Sequence, residues 1–85
     1  MSYDLTLGRQ ARKEIKALDT ATINRIEERF KQLSRDPFDP RISKPIRMKP
    51  GRRTSRVGDW RIIYQVNESE MTIEIVSIWP RDKAY

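Results

Sequence analysis

The chain contains neither cysteine nor histidine. Disulfides and thiolate nucleophiles are therefore excluded, and so are imidazole bases and imidazole metal ligands. A zinc site would need carboxylates alone, an unusual ligand set, so neither a metal nor a small-molecule cofactor is expected. Glycine is scarce as well, with three residues in 85. A glycine between two strand-like runs is thus a turn signal. No apolar run approaches the roughly 20 residues of a membrane-spanning helix. The N-terminus lacks the apolar centre of a signal peptide. The expectation is a cytoplasmic chain with no membrane partner.

What is present is charge, and it is unevenly placed. The net charge is +6. Residues 1–40 hold eight Lys/Arg against seven Asp/Glu, and residues 62–85 hold two against four. Residues 41–61 hold eight against the single Asp59, a local balance of +7. Positive charge concentrated in a quarter of the chain points to a polyanionic partner. Eighty-five residues allow one domain, here 1–85, with one modest core. With 36% hydrophobic and 35% charged residues, a sheet covered on one face fits better than one buried on both.

Hydrophobic periodicity gives the elements. Tyr3, Leu5 and Leu7 alternate as in a half-buried strand. From Arg9 the period changes, and Ala11, Ile15 and Leu18 form one helical stripe. Asp19 or Thr20 can cap a second helix whose stripe is Ile23, Ile26, Phe30 and Leu33. So short a connection implies an antiparallel helical hairpin. Asp36-Pro37, Asp39-Pro40 and Lys44-Pro45 make residues 36–50 a loop. Strands are expected near 51–57, 60–66 and 71–79, the first pair joined by Gly58-Asp59. The order βααβββ reads as an α+β fold: an antiparallel sheet with an N-terminal helical hairpin packed on one face.

A two-residue turn at Gly58-Asp59 fixes register. Val57 then faces Trp60, Arg56 faces Arg61, Arg53 faces Tyr64 and Arg52 faces Gln65. Alternation puts Val57, Trp60, Ile62, Tyr64 and Val66 on the core face, and Arg52, Thr54, Arg56, Arg61, Ile63 and Gln65 on the other. With Val66 opposite Met71, the core face gains Met71, Ile73, Ile75 and Trp79. Glu74 and Ile78 fall outside. Arg56 and Arg61 form a like-charged cross-strand pair, destabilising unless an anion or carboxylate bridges it. Either Glu74 or Asp59 neutralises it as surface decoration, or the pair, with Arg52 and Lys49 nearby, receives a phosphate.

These residues carry a family resemblance. The run Arg56-Val57-Gly58-Asp59-Trp60-Arg61-Ile62-Ile63-Tyr64 resembles the R-x-G-[DN]-[YFW]-R-[IVL]-[IVL]-Y segment of the RelE/ParE toxin superfamily. The ending Ser77-Ile78-Trp79-Pro80-Arg81-Asp82-Lys83-Ala84-Tyr85 resembles its closing strand and R-x-x-x-Y terminus. The resemblance implies the toxin of a type II toxin–antitoxin system. In the RelE branch such a toxin cleaves messenger RNA in the ribosomal decoding site without metal. In the ParE branch it acts on DNA gyrase. A noncatalytic basic RNA-binding module is the third reading. Implied partners are the ribosome, messenger RNA and a cognate antitoxin, an acidic and partly extended segment able to cover the basic region.

By position, Arg61 and Arg81 match the arginines that contact the reacting phosphate, and Tyr85 matches the C-terminal tyrosine. Arg52 and Thr54 fall where some members carry lysines, and Thr54 loses that charge. Chemistry then divides the labour. Guanidinium groups stabilise developing charge but transfer protons poorly, so Arg56, Arg61 and Arg81 read as electrostatic clamps. Tyr85 either transfers a proton, its phenolate favoured by nearby cations, or stacks on a base. Lys49, Arg52, Arg53 and Thr54 are the expected substrate contacts.

Overall fold

The structure, a computed structural model, describes residues 2–80. The elements are β1 (Asp4–Leu7), α1 (Arg9–Lys16), α2 (Thr20–Arg35), β2 (Lys44–Pro45), β3 (Arg52–Val57), β4 (Trp60–Asn67) and β5 (Thr72–Pro80). Asp19 caps α2, accepting from Thr22 N at 3.1 Å and from Thr22 Oγ1 at 2.6 Å. Such a cap satisfies an amide that the first turn of a helix otherwise leaves without a partner. These hydrogen bonds hold the Asp19 carboxyl below its ordinary value. The helical stripes close on the sheet: Ala11, Ile26 and Leu33 share one buried cluster with Val57, Ile62, Tyr64, Ile73, Ile75 and Ile78.

The α+β architecture is as expected, but the sheet is mixed and has five strands, in the order β1-β5-β4-β3-β2. β1 pairs parallel with β5, from Asp4 opposite Thr72 to Leu7 opposite Ile75. The meander β3-β4-β5 leaves a free edge on β5, and β1 fills it. Where β1 stops, the outward amide of Ile78 is taken by Glu14 Oε1 of α1 at 2.7 Å. Two residues of the expected loop, Lys44 and Pro45, pair with Thr54 and Arg53 as the short strand β2.

Register at the first turn is the expected one: Val57 with Trp60, Arg56 with Arg61, Arg53 with Tyr64 and Arg52 with Gln65. Gly58 has a φ of +58°, whereas Asp59 is not among the residues of positive φ. Glycine at the first central position is what a II′ reversal requires. The second turn differs. Val66 pairs with Ile73, and Met71 sits before the strand with a φ of +56°. It is a turn residue, not a member of the core strand.

Further along, Tyr64 pairs with Ile75 but Ile63 pairs with Ser77, so Val76 is an extra residue in β5. A bulge shifts the side-chain phase by one. Simple alternation, which places Trp79 in the core and Ile78 outside, is therefore inverted beyond it. Ile78 is 1% exposed and joins the core, whereas Trp79 pairs with Arg61 on the other face.

Tyr64 fastens the loop after α2 to the sheet. Its hydroxyl donates to Pro37 O at 2.6 Å and is hydrogen-bonded to Ser43 Oγ. Arg53 Nε donates to the same Ser43 oxygen at 2.8 Å, with its guanidinium 5.1 Å from the centre of the Phe38 ring. Burial raises the Tyr64 pKa above its ordinary 10.0, outweighing the hydrogen bond from Ser43 and the charge of Arg53. The neutral phenol is the form that the fold favours. Its contribution is complete below pH 10 and is lost as pH rises through the folded-state value. Tyr64→Phe should cost about 1–3 kcal/mol in urea denaturation, since buried polar partners lose a hydrogen bond. A thermal-unfolding series should show the wild type losing stability above pH 10 more steeply than Tyr64→Phe.

Candidate nucleic-acid interface

The face away from the helices is arranged in rows set by the register. Lys44, Thr54, Ile63 and Ser77 form one row. Arg56, Arg61 and Trp79 form the next. Arg52, Gln65 and Glu74 flank the first row on its other side. Thr54, Ile63 and Ser77 are buried although they face away from the core.

A concavity of about 230 Å³ opens where β2 ends and the rest of β3 lacks a neighbouring strand. Thr54, Arg56 and Arg61 line it from the sheet, Lys44 from β2, Arg29 from α2, and residues 40–43 from the preceding loop. Five of its lining residues are cationic and none is acidic. Neither Asp59 nor Glu74 bridges Arg56 and Arg61. Glu74 accepts from Gln65 Nε2 at 2.7 Å, and the two ion pairs among the described residues are Glu28–Lys31 and Asp39–Arg41. Arg56 Nε donates only to Gly58 O, at 3.2 Å. Two buried polar atoms have no hydrogen-bond partner among the described residues, Thr54 Oγ1 and Arg61 Nε. Both belong to residues that line the concavity. Orphaned buried polar atoms are rare in folded proteins and each needs a reason.

Arg29 holds the wall in place. Its Nη1 donates to Ser55 Oγ and to Arg56 O, both at 2.8 Å, and its Nε to Gln32 Oε1 at 2.8 Å. The guanidinium thereby satisfies an edge carbonyl that no strand covers, and fixes the backbone from which Arg56 projects. Arg41 is held by Asp39 through two contacts, at 3.1 and 2.8 Å. Bonding to Arg41 lowers the Asp39 pKa to about 2.

Of the residues singled out from sequence, the structure brings together Arg56, Arg61 and Thr54. Arg52 lies on the same face but outside the concavity, and Lys49 lies in the turn between β2 and β3. Arg53 lies apart from them on the helix-covered side, tied to Ser43 and Phe38, because it alternates with Arg52 and Thr54. Arg81 and Tyr85 lie outside the described residues. Sequence reasoning missed Arg29 and Lys44. Arg29 looks like one charge on a solvated helix, and Lys44 reads as loop; Lys44-Pro45 followed by a basic run was the available hint of a short edge strand.

Fold and site together define a small basic α+β domain whose arginines at one sheet edge have few partners among the described residues. Comparison narrows the class. Residues 5–85 match the family described as ParE toxin of type II toxin-antitoxin system, parDE. Among solved structures, the archaeal RelE–RelB complex from Pyrococcus horikoshii is similar at 26% identity and a TM-score of 0.83, covering 99% of this chain and 100% of that one. The RelBE2 toxin–antitoxin complex from Mycobacterium tuberculosis is similar at 26% identity and 0.83, covering 95% and 100%. The isolated Escherichia coli RelE toxin shares the fold, with a TM-score of 0.83 at 16% identity over 98% of this chain and 88% of that one. A search of curated protein sequences gave no match. The chain belongs to the RelE/ParE superfamily and is the toxin of a type II toxin–antitoxin system.

Arg29→Ala should destabilise the fold by about 1–3 kcal/mol, because it strips charge-assisted hydrogen bonds from Ser55 and from an edge carbonyl. Arg29→Lys should recover less than half of that loss, since an ammonium cannot reproduce the fork. Urea denaturation of both variants measures this.

Proposed function

We propose that this toxin is a ribosome-dependent endoribonuclease that cuts messenger RNA in the decoding site without metal and stops translation in the cytoplasm. The observation that carries this reading is the unneutralised Arg56–Arg61 pair beside the orphaned Thr54 hydroxyl. An unmade hydrogen bond at a buried hydroxyl costs about 1–3 kcal/mol, and the like-charged pair adds repulsion. A phosphodiester seated there removes both penalties.

The reaction is the one that the family resemblance implies. The ribose 2′-oxygen attacks the adjacent phosphorus, the O2′–P bond forms, and the P–O5′ bond breaks to leave a cyclic phosphate and a 5′-hydroxyl. Arg56 and Arg61, with Arg81, stabilise the charge that builds on the phosphorane, acting as donors already fixed in place. Tyr85, as phenolate, takes the 2′ proton. Thr54 donates to a phosphate oxygen, and Arg52 and Lys49 hold flanking phosphates. With no imidazole base, the protein relies on the ribosome to frame the message, so purified toxin cuts naked RNA weakly. An acidic, partly extended cognate antitoxin covers the basic region, as RelB partners RelE in the similar complexes.

The family description favours one competing reading, a ParE-like poison of DNA gyrase that needs no reactive constellation. Induction in cells separates the two. The nuclease should stop protein synthesis and create new in-frame transcript ends. Arg61→Ala should reduce cutting by about 10²–10³-fold, the usual effect of losing one such donor. DNA damage with protein synthesis intact would select the gyrase poison instead. The antitoxin complex should weaken as salt rises, measurable by titration calorimetry at several ionic strengths.

A further inference from the structure

The proposed cleavage needs a proton for the leaving 5′-oxygen, and few groups at the concavity can give one. Four of its cations, Arg29, Arg41, Arg56 and Arg61, are guanidinium groups, which do not release a proton in proteins. The Ser43 hydroxyl is already engaged by Tyr64 and Arg53. Asp39 reaches the site only through Arg41 and, with a pKa of about 2, is ionised and has no proton to give. One lining residue carries a transferable proton on a cation, and that is Lys44.

Resting on the nuclease reading, we propose that Lys44 is the general acid of this toxin, protonating the 5′-oxygen as the P–O5′ bond breaks. Its register supports the role. Lys44 pairs directly with Thr54, so the ammonium stem and the orphaned hydroxyl rise from the same row of the same face. Arg56 follows Thr54 by two residues along β3, a step of roughly 7 Å at strand spacing, and Lys44 and Arg56 line the same concavity. Neither ion pair among the described residues involves Lys44.

Its backbone is also held on both sides. Ser43 before it is fastened to Tyr64 and Arg53, and a residue preceding proline is confined to extended conformations. The two-residue strand therefore serves as a mount for one side chain. In the balanced step, the 2′ proton passes to Tyr85, the electron pair of the P–O5′ bond goes to the 5′-oxygen, and the Lys44 ammonium supplies the proton that makes it a hydroxyl. The neutral amine and the phenol then reset by exchange with water.

The test uses programmed ribosomes carrying synthetic messenger RNA whose scissile linkage has either the natural 5′-oxygen or a bridging 5′-sulfur. A thiolate leaves without protonation. Lys44→Arg keeps the charge and removes the transferable proton, and Lys44 is exposed, so thermal unfolding should be unchanged. On the natural linkage, Lys44→Arg should slow cleavage by about 10²–10⁴-fold, the usual worth of general acid catalysis. On the sulfur linkage it should cleave at the wild-type rate, whereas Arg61→Ala should be slow on both. Equal defects on the two linkages, or wild-type cleavage of the natural one, would overturn the assignment to Lys44 and leave the nuclease reading intact. Wild-type toxin inert on both linkages would overturn the nuclease reading, and this assignment with it.

Discussion

Everything at the basic face follows from the tight reversal at Gly58-Asp59. A II′ turn of two residues leaves no slack in register, so Arg56 and Arg61 stand directly opposite one another. Two unit charges about 5 Å apart repel by roughly 1 kcal/mol where water screens them. Burying one large aliphatic side chain contributes about 1.5–3 kcal/mol, and Ile62, Ile73, Ile75 and Ile78 are all at most 1% exposed. The core therefore outweighs the repulsion several times over. A chain that stable on one face can carry an unneutralised pair on the other.

Four arginines around the concavity, Arg29, Arg53, Arg56 and Arg61, divide into two kinds by what surrounds them. Arg29 and Arg53 meet hydroxyls, a carbonyl and an aromatic ring, and their charge is consumed in holding α2 and the post-helix loop to the sheet. Among the described residues Arg56 and Arg61 have almost no partners: one long bond to Gly58 O, and an Nε with none. The first kind builds the walls and the second faces the space between them. Local net charge does not separate these kinds, because Arg53 and Arg56 belong to the same short strand, β3, yet fall on opposite faces of it.

Much of this was legible in the sequence. The helical stripes, the Asp19 cap, the first hairpin and its arginine pairing all depend on local periodicity and turn chemistry. Those signals are complete within a dozen residues. What stayed hidden depends on distant parts of the chain. The parallel placement of β1 is decided by which edge of the meander is free. The strand pairing of Lys44 and Pro45 needs β3 as its template. The extra residue at Val76 is the sharpest case: nothing in the run Thr72–Pro80 marks it, yet it moves Trp79 from the expected core to the row of Arg61. Arg29 was hidden for the opposite reason, since a solvated helix and a helix facing a sheet edge both carry arginine.

The brevity of β2 has a consequence for how the molecule behaves among copies of itself. A sheet that ends in a long open strand invites another chain to add to it. Here the outermost strand is only two residues long, one of them a proline without an amide hydrogen. Just past it, the exposed carbonyl of Arg56 is already occupied by Arg29. A neighbouring molecule finds no continuous ladder along this margin, so a very basic, half-covered sheet resists fibrous stacking without a further layer to shield it.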